Sequence, residues 1–217
     1  MISHANRCIF IHIPKTAGTS IEKKLGHFEE LAAGVQDHRT IRQIQPEPGE
    51  VPWLKGFFKG KAEEPTDPEK VTAKQFEAYF KFTVVRNPWA RVFSWYRNVM
   101  DDPRHQEKHK VSADCTFGDF LKNHSDQWAM RLQTHWILDK AGNNPLDYVG
   151  LFEQLKESFA YISEKLNLED AELPTLLKRR GEQPWYVDHY ESESTALVAE
   201  RYREEIAMFG YNLVNDF

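Results

Sequence analysis

The sequence predicts an α/β fold in which a parallel sheet is covered by helices on both faces. Three observations carry this. Apolar runs over residues 7–13, 81–85 and 147–152 each lead directly into a segment of helical period. Strands that alternate with helices favour parallel pairing, because the connecting helix must pack back onto the sheet. With 217 residues, of which 41% are hydrophobic and 13% aromatic, the chain is long enough to enclose one core, expected as a single domain over 1–217.

Residues 7–13 read as a buried strand and residues 17–28 as a helix that begins immediately after it. Residues 45–70 are rich in proline and glycine and read as a long loop or lid. A short helix is expected over 72–79 and a strand over 81–85. Asn87-Pro88 then supplies a helix cap and a proline for the first helical position, and Trp89, Val92, Phe93, Tyr96 and Met100 form one apolar face. The polar segment 101–114 is expected to be an exposed connection. After the strand at 147–152, Phe152, Leu155, Phe159, Ile162 and Leu166 repeat at helical spacing. An irregular stretch over 173–189 holds Lys178-Arg179-Arg180-Gly181. A last helix is expected over 194–208, burying Val198, Tyr202 and Ile206, with Phe209-Gly210-Tyr211 closing it.

Composition excludes several classes. A formal net charge of -5 argues against a protein that coats nucleic acid. The leading MISHANR lacks the hydrophobic region of a secretory signal, and the apolar run after it is too short to span a bilayer. A cytoplasmic protein without stable membrane insertion is therefore expected. Cys8 and Cys115 make no disulfide framework and read as core or incidental thiols. Without a secretory signal, the sequon at Asn123-His124-Ser125 carries no weight.

Two junctions concentrate the chemistry. In FIHIPKTAGTS, residues 10–20, Pro14 fixes one dihedral, Gly18 is read as permitting close backbone approach to a ligand, and the helix start offers N–H groups to an anion. Lys15 adds a full charge; Thr16, Thr19 and Ser20 add hydroxyls. A Walker A loop needs its glycine before the lysine, and this segment has the reverse order. In FTVVRNPWARVFSWY, residues 82–96, Arg86 sits at a strand end, and Asn87 and Ser94 share a helix face, so that Ser94 can reach an anion held by Arg86. In parallel sheets, ligands bind beyond the carboxyl ends of the strands, where both junctions lie.

The pair IPKTAGTS and VVRNPWARVFSWY resembles the nucleotide-binding motifs of sulfotransferases that use 3′-phosphoadenosine 5′-phosphosulfate (PAPS). It is most similar to the family-2 branch, which includes carbohydrate (heparan and chondroitin type) enzymes and small bacterial members. The likeness extends to His38-Arg39-Thr40, to Asp147-Tyr148-Val149-Gly150-Leu151-Phe152-Glu153 and to Phe209-Gly210-Tyr211. It implies a P-loop-like three-layer α/β fold with PAPS as sulfate donor and no metal. By the resemblance, Lys15, Thr16, Ala17, Gly18, Thr19 and Ser20 hold the 5′-phosphosulfate, and Arg86 and Ser94 hold the 3′-phosphate. Arg180 takes the place of a late basic residue that closes on the same phosphate. Lys15 is expected to neutralise the bridging oxygen as the phosphate leaves.

The attacking hydroxyl needs a general base, and His38, which matches a family histidine, is the expected one, with Glu29 and Asp37 as alternatives. His12 reads as structural. His105 and His109 are four apart, as on a metal-binding helix face, but lack the accompanying glutamate of such a motif. His135 and Gln133 lie in a stretch that faces either acceptor or core. The expected partner is a hydroxyl-bearing acceptor: a carbohydrate, a lipid or a small molecule. A non-catalytic module that binds PAPS and, more remotely, a nucleotide kinase are the rival readings.

Overall fold

The computed structural model describes residues 1–32, 34–47, 69–176 and 185–214. Most of the expected loop at 45–70, and Arg180 with its basic neighbours, lie outside the described residues.

Strands β1 (Ile2–Ser3), β2 (Cys8–Ile11), β3 (Phe80–Val85) and β4 (Tyr148–Leu151) form one sheet in that spatial order. β2 pairs with β3, and β3 with β4, in parallel, with Ile11 opposite Thr83 and Val85 opposite Leu151. β1 is antiparallel to β2, so the sheet carries an edge strand that the sequence reading does not anticipate. Two residues of IS are too few to show a period, and only the tertiary pairing defines them. Asp147 sets the start of β4: its carboxylate accepts from the Lys81 N–H at 2.7 Å, and its own N–H donates to the Lys81 carbonyl at 2.8 Å.

Successive side chains of a strand point to opposite faces. Ile9 and Ile11 accordingly enter one core, while Cys8 and Phe10 enter the other. Burial pushes the Cys8 thiol up to about 12, which makes it an inert core group.

The helices are α1 (Gly18–Lys24), α2 (Ile41–Ile44), α3 (Ala73–Ala78), α4 (Pro88–Met100), α5 (Pro103–His109), α6 (Phe117–Asn123), α7 (Thr134–Ile137), α8 (Leu155–Leu166), α9 (Ser192–Arg201) and α10 (Arg203–Phe209). The Ile9 face packs on α2, α4, α6, α7 and α9 through residues such as Ile41, Val92, Phe120, Ile137 and Val198. The Phe10 face packs on α1 and α8 through Ile21, Phe159 and Ile162. Helices on both faces of a mainly parallel sheet give the three layers that the alternation implied. Among the described residues, no helix is long and apolar enough to cross a membrane.

Four expectations need correction. The segment 101–114 contains helix α5, capped by the Asp102 carboxylate, which accepts from the Arg104 N–H at 2.9 Å. Asp102-Pro103 is the same cap-plus-proline signal as Asn87-Pro88, and the polarity of residues 104–110 hid it. The last helix is two, broken at Tyr202, whose buried hydroxyl donates to the Met130 carbonyl at 2.6 Å. Helices α6 and α7 and the 3₁₀ turn Trp128–Met130 fall where the sequence shows no long period. The helix read over 17–28 ends at Lys24.

Gly18 is also needed for a different reason than the one read from the sequence. A Cβ there would lie 1.9 Å from the imidazole of His12, which fills the space beneath the first turn of α1. The glycine lets α1 settle on the end of β2. Gly18→Ala should therefore cost about 1–3 kcal/mol in urea denaturation, the usual range for overpacking a tight site. Gly118→Ala, where the added carbon meets nothing within 4 Å, should leave stability unchanged or raise it by up to about 1 kcal/mol. Equal effects of the two substitutions would contradict this packing.

Candidate functional site

Parallel pairing of β2 with β3 sets their carboxyl ends side by side, and one open cleft of about 1860 Å³ lies beyond them. Lys15, Ala17, Gly18, Thr19 and Ser20 line it from the first junction, and Arg86 and Ser94 line it from the second. His38 lines it from the segment that follows α1. Residues expected to act together thus share one cavity. Thr16 is the exception: it is fully buried, and its hydroxyl donates to the Ile13 carbonyl at 2.9 Å. Its side chain closes the turn and does not face the cleft.

The first loop is bent tightly. Lys15 and Ala17 both take positive φ, 70° and 66°, a conformation that costs non-glycine residues about 1–3 kcal/mol each. Contacts from elsewhere hold this shape. The Arg86 guanidinium donates to the Lys15 carbonyl at 3.1 Å, and the Lys15 ammonium donates to Asn98 Oδ1 on α4 at 3.0 Å. Asn98 is in turn 3.0 Å from His105 Nδ1 on α5. Nothing in the local sequence pairs Lys15 with Asn98; only a helix-face reading of α4 that extended one turn past Ser94 points to it.

Arg86 is held from three sides. Its guanidinium stacks on Phe152 with 4.1 Å to the ring centre. The buried Gln133 amide grips its backbone, accepting from the N–H and donating to the carbonyl, both at 2.8 Å. Gln133 also donates to Glu205, whose carboxyl burial raises and Arg91 lowers. Gln133 therefore belongs to the core and supports Arg86. Next to it, the Asn87 N–H donates to Glu153 at 2.7 Å, and the Tyr211 hydroxyl donates to the same carboxylate at 3.1 Å. The 147–153 strand end and the C-terminal Tyr211 thus converge on one junction.

Beneath Gly18, His12 is almost wholly buried, with Nδ1 3.1 Å from the buried Glu22 carboxylate. Desolvation, assisted by neighbouring positive charge, holds His12 down to about 3, so the ring is neutral. The His38 ring lies tilted against it, with ring centres 4.1 Å apart. His38 Nδ1 lies 2.9 Å from the His12 carbonyl, which can only accept, so Nδ1 carries the proton and Nε2 the lone pair. Burial first, then the neighbouring His12, lowers His38 to about 4.

The alternative bases are placed less well. Glu29 is exposed and is not among the residues lining the cleft. Burial would raise the Asp37 carboxyl, but the bidentate Arg39 guanidinium, at 3.0 Å and 2.7 Å, holds it well below the usual range. His105 and His109 line the cleft, His109 edge-on to Trp95 at 5.3 Å, and among the described residues no acidic, histidine or cysteine group of three is placed to hold a metal ion.

The two depressed histidines make stability depend on pH. Both rings take up protons near ~6.5 when unfolded but resist them until about 4 and about 3 when folded. Their contribution is full above the unfolded value and is lost as pH falls through that window. Glu22, raised by burial, opposes the trend at its acid end. Stability from urea denaturation should fall between pH 7 and pH 5. In His38→Gln the slope should be shallower, by less than the ~1.4 kcal/mol per pH unit of one whole proton. Identical slopes would contradict the buried, neutral state of His38.

The chain is similar to known proteins over most of its length. The chain is 24% identical to carbohydrate sulfotransferase 14 of Homo sapiens over 246 residues, which covers 99% of this chain and 60% of the relative. The Danio rerio protein of the same name is 22% identical over 248 residues, covering 99% and 62%. That of Mus musculus is 22% identical over 206 residues, covering 86% and 50%. The chain thus spans about three fifths of the length of the first two relatives. No solved structure matches it. Residues 1–212 match the Sulfotransferase family, and the chain belongs to that family.

Proposed function

We propose that this protein transfers the sulfuryl group of PAPS to a hydroxyl of a carbohydrate acceptor, on a P-loop-like α/β scaffold. One observation carries the reading: a lysine, an arginine–serine pair and a histidine of fixed tautomer face a single cleft at the ends of two adjacent parallel strands. The cleft suits such a donor, because Lys15 and Arg86 are separate cations held in place by packing, and its volume exceeds that of a nucleotide.

When bound, PAPS supplies a sulfuryl group already activated by a phosphate leaving group. Arg86 and Ser94 hold the 3′-phosphate, the guanidinium kept in place by Phe152 and by its bond to the Lys15 carbonyl. Lys15, with the backbone of residues 17–20, faces the 5′ side and stabilises the negative charge that builds on the leaving oxygen. The bond to Asn98 occupies one of the three ammonium protons and orients the others. His38 takes the acceptor proton at Nε2. Its lowered basicity keeps the ring unprotonated at neutral pH, and an anion bound beside Lys15 raises that basicity where it is needed.

Arg86→Ala should weaken PAPS binding at least tenfold by calorimetry, since a charge-assisted bond to phosphate contributes roughly 1.5–3 kcal/mol. Binding of adenosine 5′-phosphosulfate, which has no 3′-phosphate, should change little. Equal losses for the two nucleotides would sink the assignment.

Labelled-sulfate transfer from PAPS tests the activity itself. Lys15→Ala should lower turnover more than donor affinity, because its charge matters most in the transition state. His38→Ala should bind donor normally and lose about 10²–10⁴-fold in single-turnover transfer. Tight donor binding by the parent with neither transfer nor slow PAPS hydrolysis would establish the binding-module reading instead.

A further inference from the structure

The residues assigned to the donor leave one wall of the cleft unexplained. Trp128 is 40% exposed, lines the cleft and meets the His38 ring edge-on at 5.1 Å. A large exposed indole is unremarkable alone, but here it abuts the group that takes the acceptor proton.

The indole is also held rigidly. The buried Trp95 contacts it at 6.4 Å, and the buried Trp136 contacts it at 6.5 Å. Trp95 Nε1 donates to the Gln127 side chain at 2.7 Å, which fixes the residue just before it. The Trp128 carbonyl accepts from the Arg131 N–H at 3.2 Å, closing the 3₁₀ turn. Ring contacts therefore run from His109 through Trp95 and Trp128 to His38, and all four residues line the cleft. A pre-set aromatic surface loses little entropy when a ligand is laid on it.

We propose that Trp128 is the acceptor platform, and that it takes a sugar ring whose reacting hydroxyl is thereby presented to His38 Nε2. This rests on the sulfotransfer reading above. A pyranose has an apolar C–H face for the indole and a polar rim, and the same cleft offers Asn98, Arg104, His105 and Lys108 to that rim. An alkyl chain would match the indole but would displace water from those polar groups without offering them a hydrogen bond in return. A ring bearing polar substituents is the acceptor that fits both surfaces.

The test is steady-state transfer of labelled sulfate from PAPS to a panel of disaccharides, neutral and uronate-containing, and to n-dodecanol. Parent, Trp128→Ala and Trp128→Tyr are compared. PAPS hydrolysis to water and calorimetric binding of adenosine 3′,5′-bisphosphate serve as acceptor-independent readouts. The expected result is transfer to at least one disaccharide, with acceptor KM raised about tenfold in Trp128→Ala and largely restored in Trp128→Tyr. Bisphosphate affinity should stay within about twofold of the parent, because Trp128 is not among the residues assigned to the donor.

Three results would overturn the platform. One is transfer to dodecanol with none to any saccharide. Another is a Trp128→Ala protein with unchanged acceptor KM and parental kcat. The third is a loss confined to kcat, which would make Trp128 a buttress for His38 only. Failure of the parent to bind the bisphosphate or turn over PAPS would instead overturn the sulfotransfer reading, through readouts that do not involve Trp128.

Discussion

The parallel pairing of β2 with β3 is the constraint on which the site depends. Thr83 anchors it, donating its buried hydroxyl to the Ile11 carbonyl at 2.7 Å in register with the ladder. A one-residue slip would turn every side chain of one strand to the wrong core, so the register is strongly fixed. With it fixed, two strand-to-helix junctions far apart in sequence end up adjacent, and Arg86 reaches the Lys15 carbonyl. Each junction alone is a strand end followed by a helix start, capped by the Asn87 side chain at the second and bent through positive φ at the first. Together they place two cations over one cleft.

Behind the second junction, the interior is polar, and most of its polar groups are paired within it. Arg91 is almost wholly buried and donates to the carbonyls of Ala129 and Arg131 at 2.9 Å and 2.6 Å. Tyr202 donates to Met130, Glu205 meets Gln133, and Gln133 clamps the Arg86 backbone. A buried charge that loses its partner is costly, so such a network tolerates little rearrangement. It therefore transmits the positions of α9 and α10 to the strand end. Tyr202 and Glu205, three residues apart, both face inward from this end of the chain.

The first junction is rigid for a different reason. His12 occupies the volume that any side chain at position 18 would need, and His38 lies on top of it. The bond to the His12 carbonyl fixes the His38 tautomer, while burial lowers its basicity.

The sequence by itself determined the two strand-to-helix units, because an apolar run followed by Pro14 or by Asn87-Pro88 is a local signal. It also determined the alternation that gives three layers, and it singled out Lys15, Arg86, Ser94 and His38, which the fold brings to one cleft. What it could not contain is which distant groups meet. The Gln133–Arg86 clamp spans 47 residues, Lys15 and Asn98 are 83 apart, and the requirement for Gly18 comes from the ring of His12 pressing against it. Helix α5, which reads as a solvated connection, becomes a wall of the cleft only because α4 carries it there. Propensity and period act over a few residues. Contacts across a core are decided by packing, which only the folded chain has.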